Sequence, residues 1–269
     1  MKKDILLSVV LFLLLAAIQP AQAKRVHTIG DSTMATYDEN SDRKGWGQMF
    51  NRFFNEGVEV NNRAKNGAST KSFYNEAPYW ATVVQQIEPG DYVFIQFSHN
   101  DEKNKGFDGD ELQAAYPDSV IADTRGTAPF GTYQEYLRKY IDETRALGAT
   151  PVLITPIVRR YFSHGKITEK GRHNISTDGS HDLDYVMAMK EVAEEKGVQL
   201  IDHTALTCAL VEEYGEEASK AQLYCSTDKT HISHTGAILF ARLVAQEMLR
   251  QGILAEYINI EALQEIGAE

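Results

Sequence analysis

The chain has 269 residues, a formal net charge of -11 and only two cysteines. So acidic a protein is poorly suited to nucleic acid or an anionic membrane surface as its main partner, because both carry negative charge. An acidic polymer could still bind where its carboxylates meet a local basic patch.

Met1 to Ala23 has the pattern of a secretory signal: Lys2 and Lys3, an apolar run from Ile5 to Ile18, then Ala21-Gln22-Ala23 as a small-x-small cleavage site. The run of about fourteen residues is shorter than the roughly twenty a spanning helix needs, so export without stable membrane insertion is expected. Removing Lys2, Lys3 and Asp4 takes away a net +1 and leaves about 246 residues near -12. That length suits one α/β unit over residues 24–269, with no linker or repeat to divide it. Cys208 and Cys225 would close a loop of about sixteen residues if oxidised outside the cytoplasm; two buried thiols are the alternative.

In chain order, a short β run, Val26-His27-Thr28-Ile29, ends at Gly30 and leads into Asp31-Ser32. Trp46 to Phe54 carries Trp46, Met49, Phe50, Phe53 and Phe54 at helical spacing, one buried face. Val58-Glu59-Val60 is expected as the second strand, followed by a turn-rich loop from Asn61 to Ser69. A helix from about Tyr79 to Ile87 stops at Pro89-Gly90. The nearly all-apolar run Tyr92 to Phe97 fits a central parallel strand covered on both faces. Glu102 to Phe130 is a long polar loop of the kind that is usually functional or mobile. A helix over Thr132 to Leu147 ends at Gly148, and Pro151 to Thr155 forms the fourth strand. After an irregular stretch from Pro156 to Ser180 come a helix, Leu183 to Lys196, and a fifth strand, Val198 to Ile201. Helices Thr204 to Tyr214 and Thr235 to Gln251 finish the pattern. Alternating strands and helices imply a three-layer α/β/α fold with a five-stranded parallel sheet in the flavodoxin-like order 2-1-3-4-5. The loops after the first and third strands meet in that order, which makes Ser32 and Asn100 neighbours.

A serine esterase needs a nucleophile, a base in hydrogen-bond reach, a carboxylate to orient the base, and donors for the oxyanion. Ser32 follows a strand-ending glycine. Asp228 and His231 lie three residues apart just before the last long helix, so one ring nitrogen can meet the carboxylate while the other faces Ser32. The Ser32 and Gly67 amides and the Asn100 carboxamide supply candidate oxyanion donors. The chain lacks the His-Glu-x-x-His and Cys-x-x-Cys metal patterns, and His231-x-x-His234 is too bare to be a ligand set, so no metal or cofactor is expected. The Gly-x-Ser-x-Gly elbow of α/β-hydrolases is absent as well.

Taken in order, Gly30-Asp31-Ser32, Gly67 in Asn66-Gly67-Ala68-Ser69, Asn100 in His99-Asn100-Asp101, and Asp228-x-x-His231 resemble the four blocks of the SGNH or GDSL hydrolase superfamily. More narrowly, Gly30-Asp31-Ser32-Thr33-Met34-Ala35, Gln96-Phe97-Ser98-His99-Asn100-Asp101, Thr155-Pro156-Ile157-Val158-Arg159-Arg160 and Asp228-Lys229-Thr230-His231 resemble the rhamnogalacturonan acetylesterases. The resemblance implies Ser32 as nucleophile, His231 as base, Asp228 as its orienter, and Ser32, Gly67 and Asn100 as oxyanion donors. One departure is Ser98, where the family often has glycine; its Cβ restricts the backbone ahead of Asn100.

The expected substrate is an acetylated polysaccharide, since an open polar site suits a glycan better than a lipid chain. Arg159 or Arg160 is a candidate partner for a galacturonate carboxylate, because a guanidinium fork matches a carboxylate; a surface ion pair is the other account of either. Three alternatives stand beside the pectic acetylesterase: a lipase or thioesterase of the same superfamily, an acetylxylan esterase, and a non-catalytic exported glycan-binding protein.

Overall fold

The computed structural model describes residues 23–118, 122–226 and 228–265. All of the expected export segment except Ala23 lies outside them, as does Thr227. Among the described residues no helix is long and apolar enough to cross a membrane.

Five parallel strands form the central sheet: β1 (Lys24–Gly30), β2 (Val58–Asn62), β3 (Tyr92–Gln96), β4 (Thr150–Ile154) and, after a short antiparallel hairpin of β5 (Phe162–Ser163) and β6 (Lys166–Ile167), β7 (Gln199–Ile201). Their order is β2-β1-β3-β4-β7. This is the flavodoxin-like order, with β1 paired to β2 on one side and to β3 on the other.

Because successive side chains point to opposite faces of a strand, the apolar run in the centre supplies two cores. Val26, Phe94, Val152, Ile154 and Ile201 face one layer, with Trp46, Phe50, Phe240 and Val244 from its helices. Ile29, Val93, Ile95 and Leu153 face the other, against Phe73, Tyr140, Tyr185 and Val192. The first layer contains helices Trp46–Met49, His203–Gln222 and His234–Gln251; the second contains Thr70–Asn75, Tyr79–Val84, Gln134–Ala146 and Tyr185–Lys196.

Several local departures from the sequence pattern have visible causes. The expected Trp46 to Phe54 helix is an α-turn, Trp46–Met49, running into a 3₁₀ turn, Phe50–Phe53; its aromatic face is nevertheless buried. The helix expected to stop at Tyr214 resumes after Gly215, whose φ of +74° breaks the regular path. Helix Thr70–Asn75, to which the sequence pattern assigns no element, begins directly after the turn-rich loop at a capping box in which Ser69 and Ser72 each bond the other's main-chain amide. Within the long polar stretch, Asp108 caps a further helix, Gly109–Ala115. Cys208 and Cys225 are buried free thiols, not a disulfide.

Phe50 is fully buried and meets Trp46 and Phe54 edge to face, with ring centroids 5.4 and 5.0 Å apart. Phe50→Ala removes that packing and leaves a cavity, and should cost about 3–5 kcal/mol of stability in chemical denaturation.

Candidate active site

The end of β1 and the end of β3 meet so closely that a Cβ on Gly30 would lie 2.6 Å from the Gln96 carbonyl oxygen. Only glycine fits, and beyond it the chain turns sharply, with the Asp31 carbonyl accepting from the amides of Met34 and Ala35. A buried polar chain holds this turn. Trp46 Nε1 donates to Gln96 Oε1 (2.7 Å), Gln96 Nε2 to Thr33 Oγ1 (2.9 Å), and Thr33 Oγ1 to Asp31 Oδ1 (2.8 Å). Ser32, next to Asp31, is thereby fixed at the sheet's carboxyl edge, with its carbonyl accepting from the Tyr37 hydroxyl at 3.0 Å.

Asp228 and His231 come to it from the loop before helix His234–Gln251. Asp228 Oδ1 accepts the main-chain amides of Thr230 (2.6 Å) and His231 (3.0 Å), so the carboxylate sits inside its own turn. Its Oδ2 lies 2.5 Å from His231 Nδ1, and His231 Nε2 lies 3.0 Å from Ser32 Oγ, across 199 positions of sequence. Partial burial acts to raise the Asp228 pKa, but the hydrogen bonds from His231 and from the His231 and Thr230 amides hold it below the ordinary carboxylate range. An ionised carboxylate, an imidazole and a hydroxyl in this order can move the hydroxyl proton to the imidazole and hold the resulting positive charge.

Ser32, Gly67, Asn100, Asp228 and His231 all line one cleft of about 280 Å³, together with His99, Lys103, Arg125 and Arg159. Gly67 has a φ of +80°, the left-handed conformation that glycine adopts without penalty. Among the described residues neither the Ser32 nor the Gly67 amide donates to a protein acceptor. Asn100 Nδ2 donates one bond to the Ala68 carbonyl (2.9 Å), which ties the third block to the second and leaves its other N–H for the cleft. Ser98 does not keep Asn100 out: its backbone is near-extended (φ 158°), and its Oγ bonds Glu102 Oε1 at 3.2 Å.

The two arginines part company. Arg159 lines the cleft, but its guanidinium is engaged inside the protein by Glu102 Oε2, the His99 carbonyl and Thr230 Oγ1. Arg160 is buried elsewhere, with Nη1 on the Glu216 carbonyl, and is not among the lining residues.

A second carboxylate–imidazole pair lies beneath the cleft and escaped the sequence reading. His99 Nδ1 is 2.9 Å from Asp31 Oδ2, and both side chains are buried. Burial pushes His99 down to about 4 despite the adjacent carboxylate. Burial also opposes ionisation of Asp31, yet His99 and two bonds from Thr33 hold its carboxyl below the usual range. The pair is therefore a neutral imidazole donating to an ionised carboxylate. Next to it Glu102 takes bonds from His173 and Arg159; these outweigh its burial and bring it to about 2. Asp101 differs: burial pushes it up to about 7 against hydrogen bonds from Thr70 and Thr127. The only local signals for these groups were their positions beside Ser32 and Asn100.

Residues 28–237 match the GDSL-like Lipase/Acylhydrolase family, and the chain belongs to it. It is a carboxylic ester hydrolase of the SGNH/GDSL type. Among curated relatives it is 36% identical over 244 residues to "Rhamnogalacturonan acetylesterase RhgT" of Bacillus subtilis, covering 85% of this chain and 91% of that one. It is 35% identical over 235 residues to "Probable rhamnogalacturonan acetylesterase YesY" of the same organism, covering 86% and 95%. The crystal structure of the Bacillus subtilis protein YxiM superposes with a TM-score of 0.67 at 28% identity; the match covers 87% of this chain and spans 58% of that one.

The buried network sets a pH dependence of stability. His99 is held below its unfolded value near 6.5 and Glu102 below 4.5, so the stability each adds is present at higher pH. It is lost as pH falls, from 6.5 toward about 4 for His99 and from 4.5 toward about 2 for Glu102. Asp101 is raised, so the stability it adds is fully present below about 3.8 and is lost as pH rises from there through about 7. The His99 and Asp101 slopes oppose each other between pH 4 and 6.5, so thermal melts of the wild type should vary little there, whereas His99→Gln, which removes the rising contribution, should melt at falling temperature as pH rises across that interval. An unchanged profile in that variant would assign the pH dependence to other groups.

Proposed function

We propose that this chain is an exported carbohydrate esterase that removes acetyl groups from a rhamnogalacturonan-type pectic polysaccharide through a Ser32–His231–Asp228 acyl-enzyme mechanism. The observation that carries the mechanism is the 3.0 Å approach of His231 Nε2 to Ser32 Oγ, with Asp228 on the far ring nitrogen. The substrate class rests on the relatives named above and on a small cleft lined by polar and charged side chains, which suits a glycan better than a long acyl chain. Export rests on the composition of Met1 to Ala23, with residues 24–269 as the hydrolase unit.

Ser32 Oγ attacks the acetyl carbonyl carbon as His231 Nε2 takes the hydroxyl proton, and Asp228 stabilises the imidazolium that forms. The carbonyl oxygen, now negative, is met by the amides of Ser32 and Gly67 and by the free N–H of Asn100. Collapse expels the sugar oxygen, which receives the proton from Nε2. Water then attacks the acetyl-serine with His231 again as base, releasing acetate and restoring the serine hydroxyl. For the uronate carboxylate of such a polymer, Lys103 is the best-placed cation in the cleft. It is exposed, whereas Arg159 is engaged internally and Arg125 is held by Asp123.

Acetate release should be measured on acetylated rhamnogalacturonan fragments, acetylated xylan and p-nitrophenyl esters of increasing chain length. Pectic substrate is expected to be preferred, with activity falling as the acyl chain grows; preference for xylan or for long chains would overturn the substrate assignment. Ser32→Ala should abolish turnover, and Asn100→Ala should lower kcat about 10²- to 10³-fold while the fold is kept.

Lys103→Met should raise KM for the acidic polymer about two- to fivefold, the worth of an exposed ion pair. Salt titration should erase that difference, since exposed charges are screened within a Debye length.

A further inference from the structure

The Arg159 side chain lines the cleft with only about 13% of its surface exposed, and its contacts run between parts of the site that come from different loops. Its Nη1 donates to Thr230 Oγ1 at 2.8 Å, and Thr230 stands between Asp228 and His231. Nη2 donates to the carbonyl of His99 at 3.0 Å, the residue immediately before Asn100, and to Glu102 Oε2 at 3.1 Å. Glu102 is itself held by His173, whose Nε2 lies 2.7 Å from the Ile157 carbonyl. The main chain around Arg159 is strapped to the same loop: the Arg160 amide donates to the Lys229 carbonyl (2.7 Å), and the Tyr224 hydroxyl donates to the Val158 carbonyl (2.7 Å).

One planar guanidinium therefore bonds the loop that carries the base and the segment that carries the Asn100 donor. Nothing else described joins those two segments through a single side chain: Ser32 meets His231, and Asn100 meets Ala68. The fork geometry matters, because two nitrogens must serve acceptors in different directions, which an ammonium on a flexible stem cannot hold in the same way. The charge is matched by Glu102 within the protein, so little of it is left to attract a substrate anion.

We propose that Arg159 is a positioning residue that sets the distance between the His231 base and the Asn100 oxyanion donor, rather than a ligand for the substrate carboxylate. This rests on the acyl-enzyme reading above. The expected signature is a fall in kcat that is the same for charged and neutral substrates, because a displaced base or donor slows the chemistry whatever the leaving sugar carries. A misplacement of about 1 Å at such a site is worth about 10²-fold.

The test is steady-state kinetics on p-nitrophenyl acetate and on an acetylated acidic oligosaccharide, with thermal melts, for the wild type, Arg159→Ala, Arg159→Lys, Thr230→Val and the Arg159→Ala/Thr230→Val double variant. Ser32→Ala is the control for the underlying mechanism. Arg159→Ala should lose about 10²-fold in kcat on both substrates with KM changed less than about threefold, and Arg159→Lys should recover only part of the loss. Thr230→Val should lose less, and the double variant should be no worse than Arg159→Ala, since both remove the same link.

A rise in KM confined to the acidic substrate, with kcat intact on both, would make Arg159 a carboxylate ligand and overturn the proposal, as would strictly additive losses in the double variant. If Arg159→Ala does not fold, the same comparisons made with Arg159→Lys and Thr230→Val decide it. Turnover by Ser32→Ala would instead bring down the acyl-enzyme reading, an outcome the arginine variants cannot mimic.

Discussion

The site depends on how closely the carboxyl ends of β1 and β3 approach at the point where the strand order reverses. Gly30 pairs with Gln96 there, without room for a side chain on Gly30. That one contact sets the direction in which the chain leaves β1, and so where Ser32 stands. It also places Gln96 to accept from Trp46 and donate to Thr33, which carries the positioning from the core beneath the sheet to the Ser32 turn. Each group in this chain is buried and each is paired. A buried polar chain of this kind contributes most when complete, because removing a single member leaves its neighbour desolvated and unmatched.

Two carboxylate–imidazole pairs flank Ser32, and their environments separate their roles. Asp228 and His231 keep about a fifth of their side-chain surface exposed, whereas Asp31 and His99 keep almost none. Burial makes His99 too weak a base, near 4, to take a serine proton at neutral pH; its ring serves as a fixed donor to Asp31. His231 reaches the hydroxyl from the open side of the cleft, as the mechanism proposed above requires of its base. Similar chemical groups thus differ in access to water: the buried pair is a structural clamp, and the more exposed pair is the one the proposed mechanism uses as acid and base.

Much of this was legible in the chain itself. The run Tyr92 to Phe97, with no polar alternation, marks a strand covered on both faces, and the alternation of strands with helices leads to the observed order. The four short blocks could be brought together on paper because the doubly wound topology places the ends of β1 and β3 side by side. What could not be read was whatever depends on tertiary partners. Arg159 and Arg160 are adjacent and chemically identical, yet one braces the cleft and the other caps a carbonyl at Glu216. Nor does spacing show that helix Thr70–Asn75 begins where it does, since its capping box uses two serines in a turn-rich segment. The cysteines gave no local signal either: both settle as thiols in separate surroundings, Cys208 near Glu212 and Cys225 near the Asp42 carbonyl.

The stretch from Glu102 to Phe130 has the composition of a free loop, but its described residues nearest the cleft make the contacts of a fixed wall. Lys71, itself buried, places its ammonium 2.9 Å from Asp108, and Asp108 in turn caps the helix that follows. Thr127 donates its hydroxyl to Asp101, and the Tyr185 hydroxyl donates to the carbonyls of both Asp101 and Thr127. A desolvated ion pair such as Lys71–Asp108 adds little net stability compared with apolar packing, but breaking it strands a buried charge at a cost of about 3–5 kcal/mol. The described parts of the stretch are therefore pinned where they enter and leave the cleft. With Arg125 bonded to the Gly67 carbonyl from the same stretch, the described wall beside Gly67 is held in place by polar contacts, which orients the groups that face the cleft before any substrate arrives.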